Sequence, residues 1–313
     1  MNTATSSKVL TCLALAAFLT QPALADDYDG VVIFGDSLSD GGNVYALTGE
    51  TSKAPFALIP SRPYAIGGHH FSNGKTWAER LAQELEHNRG GKPSLKNPGK
   101  NGNYAFGGAR ARANSGSDSP DSAMQVQMYL SDFGAASPDK LYIVQFGGND
   151  LRDALAAAAI NPNDAFVIIT EALQQIAANI QALYMAGARS FLVANVPSLE
   201  HAPAVRLAGA AGIAGFFTDI YNGSLEGTLQ QIEMVLTDID IIRLDMAGFT
   251  DAVVANPGAF DLVDVETPCL SFLVESEAVC ENPEQHLFWD GLHPTAAAHD
   301  ELADYAADIV DDD

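Results

Sequence analysis

A serine directly behind an apolar run is the first residue with chemical promise. Ser37 stands in Gly35-Asp36-Ser37-Leu38-Ser39-Asp40, immediately after Val31-Val32-Ile33-Phe34. A neutral hydroxyl is a poor nucleophile until a base takes its proton, and the base works best when a third group fixes its tautomer. Both partners stand together near the other end of the chain, in Trp289-Asp290-Gly291-Leu292-His293-Pro294, with a carboxylate and an imidazole three positions apart. Acyl transfer also needs donors for the oxygen that turns negative in the tetrahedral intermediate. Gly147-Gly148-Asn149-Asp150 offers a side-chain amide, and Asn103-Tyr104-Ala105-Phe106-Gly107-Gly108 a backbone amide on a glycine. Taken singly, each of these serves equally well as a turn, a helix cap or a packing element. They become chemistry only if the fold brings them together.

The elements that must do so are legible as alternating strand-like and helical runs, the pattern of a mainly parallel sheet covered by helices on both faces. The expected fold class is therefore α/β, a three-layer α/β/α arrangement with a mainly parallel central sheet. Strands are expected at 31–34, 141–146, 190–194 and 239–244, three of them running into polar loops. Ala172, Leu173, Ile176, Ala177, Ile180, Leu183 and Tyr184 recur at helical spacing before a capping Gly187. Further helices are expected over 75–87, 121–133, 203–236, with a break near Asn222-Gly223, and 295–310. Loops at 48–74, 88–103 and 114–120 are too long to be simple connectors and are expected to shape a substrate site. In such sheets ligands gather outside the carboxyl ends of the strands, where Ser37 and Asn149 both fall.

The blocks GDSLSD, NYAFGGA, FGGND and FWDGLHPT follow one another in an order and spacing that resembles the SGNH (GDSL) hydrolase superfamily, closest to secreted bacterial GDSL esterases and lipases of the phospholipase and lecithinase type. The resemblance covers roughly Gly30 to Tyr305 and implies an SGNH, flavodoxin-like hydrolase fold. Carried over residue by residue, it implies Ser37 as nucleophile and first oxyanion donor through its amide. Gly108 would be the second donor, chosen over Gly107 by counting from Asn103, and the Asn149 side chain the third. His293 would be the base and Asp290 its orienting carboxylate. The implied reaction is hydrolysis of acyl esters, with lipid or lysophospholipid esters favoured. Two alternatives stay open: a lipid acyltransferase using the same triad, and an inactive binding protein on this fold.

No Gly-x-Ser-x-Gly elbow, His-Glu-x-x-His helix or dinucleotide fingerprint occurs, and the upstream position that a phosphate loop at Gly74-Lys75-Thr76 would need as glycine is His69. No metal and no organic cofactor is therefore expected. The other six histidines, His69, His70, His87, His201, His286 and His299, are expected in surface, loop or packing roles.

Lys8 in a polar start, the apolar stretch 9–19 and Ala23-Leu24-Ala25 read as an export signal, residues 1–25, cut after Ala25. Eleven residues at about 1.5 Å each fall short of a hydrocarbon core of about 30 Å, so the stretch is not an anchor. Residues 26–313 are expected as one catalytic domain, secreted or periplasmic, with no integral membrane span; the 20 residues after His293 are too few for a membrane barrel. Cys12 leaves with the signal, and Cys269 and Cys280 are then expected to pair in an oxidising compartment. Sixteen basic against forty acidic residues give a net charge of −24, which repels nucleic acid phosphates. The expected partner is a small-molecule or lipid ester, and no nucleic acid.

Overall fold

The apolar runs do form strands, and all of them are parallel. In the computed structural model, which describes residues 28–113 and 119–312, β1 (Gly30–Gly35) pairs with β2 (Lys140–Gln145), β2 with β3 (Ser190–Ala194) and β3 with β4 (Asp240–Leu244), in the order β1-β2-β3-β4. Beyond β1 the extended segment 102–106 runs along the free edge, with Tyr104 N–H donating to Ile33 O at 2.7 Å and Phe106 N–H to Gly35 O at 3.1 Å. The chain thus goes from β1 to one side, by way of 102–106, and returns to β2 on the other. That reversal opens a crevice at the carboxyl ends of β1 and β2.

Alternation along the strands divides the core in two. Val32, Phe34, Tyr142, Val144, Phe191 and Val193 face one side, and Val31, Ile33, Leu141, Ile143, Leu192 and Ala194 the other. Around these strands the chain forms α1 (Asn43–Thr48), α2 (Trp77–Glu84), α3 (Ser122–Phe133), α4 (Gly148–Ala158), α5 (Pro162–Ala186), α6 (Pro203–Leu207), α7 (Ala211–Val235), α8 (Met246–Ala255) and α9 (Ala296–Asp311). Side chains of α3, α4, α5 and α7 cover the first face, and those of α2, α8 and α9 the second. This is the expected three-layer α/β/α architecture.

Several helices begin where side chains supply the missing backbone partners. Thr76 and Glu79 form a reciprocal capping box on α2, Asp121 accepts from Met124 N–H on α3, and Thr295 accepts from Ala298 N–H on α9. The expected break near Asn222-Gly223 is absent; the chain bends instead over 208–210, between α6 and α7. Asn222 sits inside α7 because its amide is fully engaged elsewhere: it accepts from Val196 N–H and donates to Val196 O, both at 2.9 Å. Three helices were not foreseen, α1, α4 and α8, and α5 starts at Pro162 behind an Asn161 cap, well before Ala172. Among the described residues α5 is also long and apolar enough to cross a membrane by length and composition, although Ala165, Ile169, Ala172, Leu173, Ile176, Ile180 and Leu183 pack in the core. The segment expected as an export signal, residues 1–25, lies outside the described residues, as does most of the loop expected at 114–120.

Cys269 and Cys280 form a disulfide closing a short loop, sequence separation 11. They pack in a small third cluster with Phe56, Tyr64, Leu270 and Trp289. Cys269 N–H and Leu270 N–H donate to Phe288 O and Trp289 O, both at 2.9 Å. The cross-linked loop therefore braces the strand-like stretch that ends at Asp290.

Candidate active site

The turn after β1 is held open by buried polar side chains. Asp36 accepts from Leu38 N–H at 3.0 Å and from Gln145 Nε2 at 3.1 Å, while Ser39 Oγ donates to Gln145 Oε1 at 2.8 Å. Gln145, the last residue of β2, thus grips the residue on one side of Ser37 and the second residue beyond it. Gln125 from α3 exchanges two hydrogen bonds with the backbone of Gly35, at 3.0 and 2.9 Å. Burial raises the Asp36 carboxyl above the usual range, opposed by those same hydrogen bonds.

Ser37, projected from this turn, meets the far end of the chain. Ser37 Oγ lies 2.8 Å from His293 Nε2, and His293 Nδ1 lies 2.7 Å from Asp290 Oδ2. Asp290 is 1% exposed and His293 5%, so both are shielded from solvent. The other carboxylate oxygen of Asp290 accepts from Leu292 N–H and His293 N–H, each at 2.8 Å, which folds the Asp-x-x-His spacing into one turn. Oδ2 also accepts from the Tyr64 hydroxyl at 2.8 Å. Burial, then the Asp290 charge, pushes the Tyr64 phenol far up, so it stays a donor. The stretch Phe71-Ser72-Asn73 braces the imidazole: the Phe71 ring lies 5.4 Å from that of His293, Ser72 Oγ donates to Pro294 O at 2.8 Å, and Asn73 accepts from Ala296 N–H at 2.7 Å.

Of the candidate oxyanion donors, Asn149 lines the same cavity as Ser37 and is tied to the loop that carries Gly108. Asn149 is the second residue of α4, and its Nδ2 donates to Ala109 O at 3.0 Å, so one of the two amide hydrogens is anchored to the 107–109 loop. Gly108 has φ +79°, a conformation glycine adopts readily. Gly107 N–H donates to Asp40 Oδ2 at 2.9 Å. Asp40 also accepts from Gly42 N–H at 2.7 Å and Asn43 N–H at 2.6 Å, tying the turn behind Ser37 to the loop at Gly107. Arg110 fixes the loop from the other side, donating to Gly108 O at 2.7 Å and to both Asp153 oxygens at 3.1 and 2.9 Å.

Ser37, Asn149 and His293 border a cavity of about 380 Å³. Away from that polar end its walls are apolar: Ile59, Leu155, Val205, Phe249, Leu287 and Leu302. His299 also lines it; burial, followed by the charges of His293, His70 and Arg80, pushes its pKa down to about 3. The structure therefore joins Ser37, His293 and Asp290 in one chain of contacts, with Asn149 beside them on the cavity wall. Tyr64, Gln145, Asp40 and Arg152, which also lines the cavity, were missed, since each lies outside a recognisable acid-base pattern.

The profile of the family described as GDSL-like Lipase/Acylhydrolase matches residues 31–306. The chain belongs to that family. Lipase 1 of Photorhabdus luminescens is 32% identical over 61% of this chain and 26% of its own length. An uncharacterized protein from the trpE-trpG intergenic region of Pseudomonas putida is 28% identical over 92% of this chain and 49% of its own. The chain thus spans half or less of the length of these two relatives. A phosphatidylcholine-sterol acyltransferase of Aeromonas hydrophila is 26% identical over 96% of this chain and 95% of its own.

Proposed function

We propose that this GDSL protein is an exported serine carboxylester hydrolase whose catalytic domain spans residues 26–313. The carrying observation is the continuous contact of Ser37 Oγ, His293 and Asp290 at 2.8 and 2.7 Å, next to Asn149 and at the end of an apolar cavity. His293 Nε2 takes the hydroxyl proton as Ser37 Oγ bonds to the ester carbonyl carbon. Ser37 N–H, Gly108 N–H and the Asn149 amide receive the oxyanion. The intermediate collapses, His293 gives its proton to the leaving alcohol, and an acyl-enzyme remains. Water then attacks with His293 again as base, releasing the carboxylic acid and restoring Ser37. The apolar cavity favours an acyl chain over an acetyl group. Residues 1–25, read as an export signal, and the disulfide support release outside the cytoplasm.

The test is turnover of p-nitrophenyl esters by the wild type and by Ser37→Ala, Asp290→Asn and His293→Gln. The serine and histidine variants should lose roughly 10⁴-fold or more in kcat while remaining folded. Ester turnover surviving in folded Ser37→Ala protein would remove the proposed nucleophile. Transfer to an alcohol acceptor is a second reading, favoured by the likeness to the Aeromonas acyltransferase over nearly the whole of both chains. Product analysis with an added sterol separates ester formation from free acid.

A further inference from the structure

Arg152 is set apart by its place on the cavity wall. Seven of the nine arginines hold a carboxylate within 4 Å: Arg62, Arg80, Arg110, Arg112, Arg189, Arg206 and Arg243. Arg152 makes no ion pair or hydrogen bond among the described residues, yet it lines the cavity that contains Ser37 and His293. It follows Asn149 by three positions on α4, so the two side chains share one face of that helix.

The charges around it are accounted for. Asp153 is bound bidentately by Arg110 and also by Arg112, and Asp150 by Arg112. Asp36, which interacts with Arg152 electrostatically, is buried, raised in pKa and already accepting from Leu38 and Gln145. The remaining neighbour is Arg110, another cation. Arg152 is exposed where it lines the cavity, and desolvation, followed by repulsion from Arg110, lowers its pKa. An unpaired fork at the polar end of an apolar cavity attracts an oxyanion.

We infer that Arg152 forms an anion subsite which receives the phosphate of a substrate whose acyl chain enters the cavity and whose ester is presented to Ser37, so that a lysophospholipid is preferred over a neutral acylglycerol. This rests on the hydrolase reading above and adds the headgroup to it. The guanidinium then binds the phosphate two-pronged, whereas lysine would offer only a point charge.

The experiment compares lysophosphatidylcholine with a monoacylglycerol of the same acyl chain, using the wild type, Arg152→Gln and Arg152→Lys. The ratio of kcat/KM for the two substrates should fall at least tenfold in Arg152→Gln, mainly through KM for the phospholipid, and recover in part in Arg152→Lys. A ratio unchanged within twofold overturns the subsite. Adding inorganic phosphate to the monoacylglycerol assay distinguishes free phosphate from a headgroup: an Arg152-dependent gain in that rate would overturn the headgroup assignment. Binding of dodecylphosphocholine to Ser37→Ala protein, with dodecyl maltoside as the uncharged control, keeps the test independent of turnover. There Arg152→Gln should weaken dodecylphosphocholine at least fivefold, and equal affinity with and without the guanidinium overturns the inference. A wild type that cleaves neither ester counts against the hydrolase reading alone.

Discussion

Tyr64 donates its hydroxyl to Asp290 Oδ2, the same oxygen that His293 Nδ1 approaches, so the carboxylate is held from two directions at 2.8 and 2.7 Å. The tyrosine is fully buried, and its ring packs edge-on against Trp289 with centroids 5.7 Å apart. It acts on the reaction through Asp290 and touches no substrate atom, which makes it a positioning residue. Tyr64→Phe keeps the ring and removes the donor. A hydrogen bond to a charged group contributes about 1.5 to 3 kcal/mol. The variant should lose stability in that range, and kcat should fall roughly threefold to tenfold with KM within twofold. A KM effect equal to the kcat effect would assign Tyr64 to substrate binding.

Asn149 is anchored by one amide hydrogen to Ala109 O, which aims the other within the cavity that contains Ser37. Asn149→Ala should lower kcat by about 10² to 10³ with little change in KM, the pattern of a donor that matters only in the transition state. Equal losses in binding and turnover would move Asn149 out of the oxyanion site. The adjoining loop tolerates little: a Cβ on Gly107 would stand 2.1 Å from the Phe71 ring, so Gly107→Ala must displace a side chain that supports His293.

The main site was readable in sequence because its chemistry uses unusual combinations. An Asp and a His three apart, a serine after a strand and glycine-flanked amides each carry a local signal. Continuous apolar runs, buried on both faces, made the four strands equally plain. What escaped were residues whose role comes from long-range pairing. Tyr64 meets Asp290 across 226 positions, and Gln145 reaches Asp36 across 109. Asn222 misled for the same reason: beside a glycine it resembles a helix breaker, whereas its side chain is taken up by Val196 and α7 runs on through it. α4 was hidden because two glycines at the strand end read as a turn, when the second of them begins the helix.

The apolar cavity sets an expectation for acyl length. Each methylene moved from water to an apolar wall contributes about 0.8 kcal/mol, close to fourfold in an equilibrium constant. Over p-nitrophenyl esters from acetate upward, kcat/KM should climb by about twofold to fourfold per methylene until the cavity is full, then level off. Val205→Phe, on a wall residue that is only partly buried, should shift the plateau to shorter chains. A flat profile, or one that peaks at acetate in both proteins, would deny the cavity an acyl chain.

His299 gives the fold a pH dependence of definite sign. It is 1% exposed, its Nδ1 accepts from Trp77 N–H at 3.2 Å, and its pKa is pushed down to about 3. An unfolded histidine titrates near about 6.5. Between those values the unfolded chain binds a proton that the folded chain refuses, so acidification favours unfolding by up to about 1.4 kcal/mol per pH unit. Asp36, Asp40 and Asp150 oppose this, because burial raises their carboxyl pKa values and the folded state then takes up protons first. Comparing the wild type with His299→Gln isolates the imidazole. The variant should be the less stable at pH 7, having lost well-packed ring atoms, and its deficit should shrink steadily as the pH falls from about 6 to 4. Denaturant midpoints measured across that range provide the check: a deficit that stays constant would mean that His299 carries a proton in the folded protein.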